Sequence, residues 1–139
     1  MTNPQNTNNI IIYVGVPYRS VVHKENCEVD IVVKQYRYDV VSKVAGQIFD
    51  TFSPQIIPFS PITYSHYLQR QFCNTEVDWY EPDLEFLRRC DVLLVLTLRD
   101  WKRSEGVKLE IQEAEKNGIP VIYAEPNQVI ETLNKFIKS

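Results

Sequence analysis

Cysteine and glycine are scarce in this 139-residue chain, with three of the first and four of the second. Cys27, Cys73 and Cys90 stand far apart, so no CxxC pair offers a zinc site. An odd count in a chain without a signal-peptide pattern suits reduced thiols, and a cytoplasmic location is expected. Cys90 abuts a strand-like run and is expected in the core, and a cysteine nucleophile would have only His23 or His66 as partner base. Long apolar runs are also missing. The longest, Val92–Leu96, is strand-sized and far below the roughly 20 residues a bilayer requires, which excludes a membrane partner. Basic stripes are absent too: the 15 Lys and Arg are scattered in a chain of net charge -3, which argues against a nucleic-acid polymer as partner. Residues 1–8, polar and uncharged, read as a disordered leader before a single domain over 9–139.

What the chain does have is alternation. Asn9–Val16, Asp91–Leu98 and Pro120–Glu125 are continuous β-branched-rich runs, the pattern of parallel strands covered on both faces. Gln55–Phe59 is a fourth candidate, which Pro58 confines to an edge or a strand end. Helical patterns lie between. Glu28–Phe49 sets Val29, Val33, Tyr36, Val40, Val44 and Ile48 on one stripe, with Glu28 and Asp30 suited to its start. Asp78–Cys90 is shorter, Ser104–Asn117 stops at Gly118, and Pro126–Ile137 opens on its proline. This order predicts a three-layer α/β fold, a doubly wound parallel sheet of four to five strands, flavodoxin-like or Rossmann-like.

In such a sheet ligands bind beyond the carboxyl ends of the strands, at the switch point. Gly15 ends the first strand and Gly106 opens the Ser104 helix, so both belong to that edge, whereas Gly46 is expected to permit close helix packing. Asp83 shares a helix face with Trp79, Phe86, Leu87 and Cys90, a costly place for a carboxylate. Its plain explanation is a backbone cap or an ion pair with Arg37 or Arg70. Glu110 flanks the stripe of Val107, Ile111 and Ala114. Upstream, Ser104 and Gly106 leave helix N–H groups for an anion or hydroxyl. Phe59–Phe72 reads as a loop lining the site, in which Tyr64, His66, Tyr67 and Arg70 could contact a flat heterocycle, or whose aromatics could fill a satellite core. No second ligand lies at metal spacing from His66.

Four stretches together resemble the nucleoside 2-deoxyribosyltransferase superfamily. They are Ile12–Tyr18 (IYVGVPY), Ser60–His66 (SPITYSH), Ser104-x-Gly106-x-x-x-Glu110-x-x-x-Ala114, and Asp83, placed eight residues before Asp91. The resemblance implies cleavage or transfer of an N-glycosidic bond on a nucleoside or nucleotide, with retention. Glu110 would be the nucleophile, Asp83 the acid at the departing base, and Tyr13 the residue that orients Glu110 or contacts the sugar. Gly15, Tyr18, Ser60, Pro61, His66, Trp101, Ser104 and Gly106 would bind substrate. Characterised transferases of that superfamily often carry an aspartate where Ser104 stands, and the resemblance implies that a neutral residue there could admit a 5′-phosphate. Neither a cofactor nor a metal ion is expected. A non-catalytic nucleotide sensor of the same fold is the alternative, and a vestigial assembly subunit a third. Leu109 and Trp101 are candidate interface residues, and a homo-oligomer, a dimer or larger, is expected.

Overall fold

The computed structural model describes residues 9–18, 27–75 and 77–139, with the side chains of its first long helix from Ile31 onward. The leader, His23, and the side chains of Cys27, Glu28, Val29 and Asp30 lie outside the described residues. Four strands, β1 (Ile10–Gly15), β2 (Ile56–Phe59), β3 (Val92–Leu96) and β4 (Val121–Ala124), form one parallel sheet in the order β2-β1-β3-β4. Among the described residues five α-helices accompany it: α1 (Cys27–Phe52), α2 (Pro61–Gln71), α3 (Tyr80–Leu87), α4 (Glu105–Lys116) and α5 (Val129–Lys138). The chain steps outward from β1 to β2 and returns past β1 to β3, so the switch point lies between β1 and β3. This is the expected flavodoxin/Rossmann-like α/β architecture, at the four-strand end of the range.

Strand alternation builds the two sides of the core. Ile12, Val14 and Val16 of β1 and the segment after it pack with Val41, Val44 and Ile48 of α1 and Leu133 of α5. The intervening Tyr13 faces the other way, with Leu93, Val95, Leu87, Cys90, Val107 and Ala114. Tyr13 is therefore carried to the α3–α4 side of the sheet by strand period alone. Asp91 Oδ2 accepts the Ile11 N–H at 2.8 Å and fixes where β3 begins.

Three expectations need correction. Phe59–Phe72 is not a loop: Pro61–Gln71 is helical, with Ser60 extended at its cap and Pro61 at the first helical position. Its buried positions, Pro61, Ile62, Ser65 and His66, include two polar residues, so no apolar period announced the helix. The buried stripe of α1 is rotated from the expected one: Arg37, Val41, Val44, Ile48 and Phe52 are buried, and Tyr36 is exposed. An arginine holds the stripe's first place because its Nη2 donates to the Arg99 carbonyl at 3.0 Å. Gly46 faces open space, with nothing within 4 Å of a Cβ built there, and it makes no close contact. Gly118, by contrast, caps α4 with φ 69, the left-handed geometry that favours glycine.

Among the described residues no helix is long and apolar enough to cross a membrane, and no group of three acidic, histidine or cysteine side chains could hold a metal ion.

Candidate functional site

A cleft of about 840 Å³ opens at the carboxyl edge of the sheet, floored by Val14 and Val16 and walled by α1, α2, α3 and the start of α4. Glu110 reaches it from the second turn of α4 and is only 8% exposed. Its two carboxyl oxygens have different surroundings. Oε2 accepts the Tyr13 hydroxyl at 2.6 Å, whereas Oε1 is buried with no hydrogen-bond partner. Burial raises the Glu110 carboxyl to a pKa of about 8, against the lowering effect of the Tyr13 bond and with a further rise from Asp83. The Tyr13 hydroxyl is itself held well above its ordinary value, first by burial and then by Glu110, so it stays a phenol and a donor.

The strand end is shaped for this carboxylate. A Cβ on Gly15 would stand 2.8 Å from Glu110 Oε1, so the absence of a side chain seats the acid against β1. Gly106 performs a similar service for Tyr80, whose ring Cε1 would be 3.2 Å from a Cβ there.

Asp83 lines the same cleft from α3. It pairs with neither expected arginine: Arg37 binds the Arg99 carbonyl, and Arg70 Nη1 donates to Gln35 Oε1 at 3.3 Å. Asp83 Oδ1 is buried without a partner, and burial raises its pKa to about 7. Two carboxyl groups with unused buried oxygens thus share one cavity.

Ser104 caps α4, its Oγ accepting the Val107 N–H at 3.2 Å, and it lines the cleft with Gly106. On the far wall the Tyr18 hydroxyl bonds His66 Nδ1, and His66 Nε2 faces Gln35 Oε1 at 3.3 Å. Tyr38 stacks on the imidazole with centroids 4.3 Å apart. Burial, with Arg70 and then Lys34 nearby, lowers the His66 pKa.

Of the residues singled out from sequence, Tyr18, Pro61, His66, Asp83, Ser104, Gly106 and Glu110 line the cleft, and Tyr13 and Gly15 stand beneath Glu110. Trp101 does not belong to it: its ring packs on Tyr123, drawn off by the short turn Trp101–Arg103. Ser60 is buried at the start of α2 and does not line the cleft; its Oγ has no partner. Tyr64 packs among Phe59, Trp79 and Phe86, and Tyr67 is exposed against Phe72. Tyr80, Lys34, Gln69 and Arg103 line the cleft without having been foreseen, because polar residues on a wet helix face carry no pattern of their own. Cys90 is buried as expected, with its thiol pushed up to about 11 by burial and by Asp91, which leaves no thiolate at neutral pH. Leu109 is an exposed apolar residue on α4.

Tyr13→Phe is expected to raise the Glu110 pKa above its present value, since the bond to Oε2 favours the ionised form. The stability lost should be about 1 kcal/mol, the net worth of one hydrogen bond. Titration of the carboxyl by carbon-detected NMR measures the first, and urea unfolding the second.

No curated protein matches the chain. A family described as a domain of unknown function, DUF1937, matches residues 10–125, from the first residue of β1 to just past β4. The chain belongs to that family.

Proposed function

We propose that this protein cleaves or transfers the N-glycosidic bond of a nucleoside or nucleotide with retention, using Glu110 as nucleophile. The observation that carries the reading is the pairing of two buried, unsatisfied carboxyl oxygens, Glu110 Oε1 and Asp83 Oδ1, in one cleft. Such groups are costly to maintain and are common where a site holds reactive acids.

The chemistry divides between them. Glu110 Oε1 attacks the anomeric carbon while Tyr13 holds Oε2. The carbon–nitrogen bond breaks, its electron pair goes to the base, and the base nitrogen takes the Asp83 proton. A glycosyl ester of Glu110 results. Water or a second base then attacks the same carbon and gives its proton to Asp83, and Glu110 is released. The first step needs Glu110 ionised and Asp83 protonated. Positive charge growing at the anomeric carbon favours the ionised Glu110 in a poorly solvated site. Ser104 and Gly106, at the mouth of α4, contact the sugar.

With Glu110 near 8 and Asp83 near 7, kcat/KM should peak between these values and fall on both sides. Below the peak Glu110 takes up its proton; above it Asp83 loses the proton it must donate. Asp83→Asn should flatten the alkaline limb, and a stopped base-release assay across pH reads this.

Release of free base from a panel of nucleosides and 5′-nucleotides tests the reading directly. Glu110→Ala should abolish release. Unchanged release removes Glu110 from the chemistry. A nucleotide sensor would instead show no release in either protein and keep its affinity in Glu110→Gln. We further propose a cytoplasmic, homo-oligomeric protein, for which Leu109 offers an exposed apolar contact.

A further inference from the structure

The cleft is divided by charge. Asp78, Asp83, Glu105 and Glu110 lie on or beside α3 and α4, with Arg103 as that side's cation, while Lys34 and Arg70 face it from α1 and α2. We infer that Lys34, His66 and Arg70 form an anion subsite that takes a phosphoryl group. The inference deepens the glycosidase reading by placing a phosphate on its substrate, yet anion binding can be measured without turnover.

The geometry around Gln35 carries it. His66 Nε2 and Arg70 Nη1 both stand 3.3 Å from one acceptor, Gln35 Oε1. Gln35 Oε1 can only accept, so the hydrogen of the neutral ring lies on Nε2, while Nδ1 on the other side meets the Tyr18 hydroxyl. Gln35 Nε2 donates to Asp39 Oδ1 at 3.0 Å, which turns the amide oxygen toward the two donors. Both bonds exceed the ordinary N–H···O range, and a guanidinium held by an anionic oxygen comes closer than this. A neutral carbonyl oxygen is thus shared by two donors and satisfies neither fully. Among the described residues Arg70 makes no ion pair with a carboxylate.

Lys34 adds a second cation beside Arg70, its Nζ 5.4 Å from the centre of the Tyr18 ring. His66 is 5% exposed and stacked on Tyr38, so its position is set before any ligand arrives. Lys34 from α1 and His66 and Arg70 from α2 line the same cleft, and several donors of this kind suit the three oxygens of a phosphoryl group. The opposite end suits it less, because the Glu105 carboxylate stands next to Ser104 there. Asp39 is the carboxylate that opposes an anion near His66, and its interaction with Gln35 Nε2 is what a bound phosphate would leave undisturbed.

The imidazole itself reports the test. The chain has two histidines, so it gives two ring signals by NMR, and His66→Gln assigns them. Inorganic phosphate should raise the His66 midpoint, because an anion favours the charged ring. Arg70→Gln and Lys34→Gln should each weaken phosphate binding about tenfold or more, the worth of a charge-assisted hydrogen bond. A nucleoside 5′-monophosphate that binds more tightly than inorganic phosphate assigns the subsite to the substrate; equal affinities assign it to the free ion. An unmoved His66 midpoint, or variants that bind phosphate as well as the parent, overturns the proposal. So does a nucleoside that shifts His66 as far as its monophosphate. Glu110→Gln separates the two readings. Lost base release with no phosphate response anywhere leaves the glycosidase and removes the subsite; phosphate binding in a protein that never releases base does the reverse.

Discussion

Glu110→Gln is expected to be both inactive and more stable than the parent at alkaline pH. Loss of the nucleophile should cost turnover by about a thousandfold or more. The gain in stability follows from the proton balance. In the folded chain the Glu110 carboxyl has a pKa of about 8, against an ordinary value of 4.5 when exposed. Between those values the folded state keeps a proton that the unfolded state gives up, so stability falls as pH rises through this window. The full penalty, on the order of 5 kcal/mol, is in place above pH 8. An uncharged amide of the same shape escapes it. Asp83, raised to about 7 from 3.8, adds to the parent's decline in the same direction and does so in the variant as well. Urea unfolding at several pH values therefore has a defined outcome: parent and variant converge toward mild acid and separate with rising pH. Parallel curves at all pH values would mean that Glu110 is ionised at no cost, and the case for a destabilised reactive acid would fail.

The same imbalance explains why the sheet was readable and part of the site was not. Ile12, Val14, Leu94 and Leu96 are buried on one face and Tyr13, Leu93 and Val95 on the other, so the strands announced themselves as unbroken apolar runs. Helix α2 has the opposite character. It buries Ser65 and His66, whose neighbours Gln35 and Tyr18 come from elsewhere in the chain, and no local pattern foretells such a partner. In α1 the buried Arg37 hid the true register, since a charged residue reads as the wet face until its acceptor, the Arg99 carbonyl, is known.

Glu110 was legible for a different reason. Its helix start, with Ser104 and Gly106, is local and carries its chemistry in sequence order. What remained hidden was the asymmetry of its two oxygens, which depends on Tyr13, 97 residues away. Asp83 was conspicuous as an acid on an apolar face, but an arginine partner was as reasonable as a vacant oxygen. Trp101 was expected at the site through the resemblance alone, whereas Tyr123 on the edge strand β4 supplies the surface it packs on.

Gly15→Ala is the sharpest probe of how the site is seated, because it should separate activity from stability. The added carbon would lie 2.8 Å from Glu110 Oε1 and 3.4 Å from Leu93 Cδ1. The nearest atom is the far end of a side chain, so the carboxyl group moves and the strand does not. Gly15 lacks the positive φ that would itself forbid alanine. Alanine also restricts the unfolded chain, which returns about 0.4–1 kcal/mol and offsets the crowding. Unfolding free energy should thus stay within about 1 kcal/mol of the parent. Displacing the carboxyl by even about 1 Å strains the 2.6 Å bond from Tyr13 and moves the attacking oxygen, at a cost of about a hundredfold in kcat/KM. The acid limb of the pH profile should shift upward as well, since a weakened Tyr13 bond stabilises the carboxylate less. A folded Gly15→Ala protein with full activity and an unmoved acid limb would show that Gly15 is small for the sake of strand packing, and that nothing in β1 positions the nucleophile.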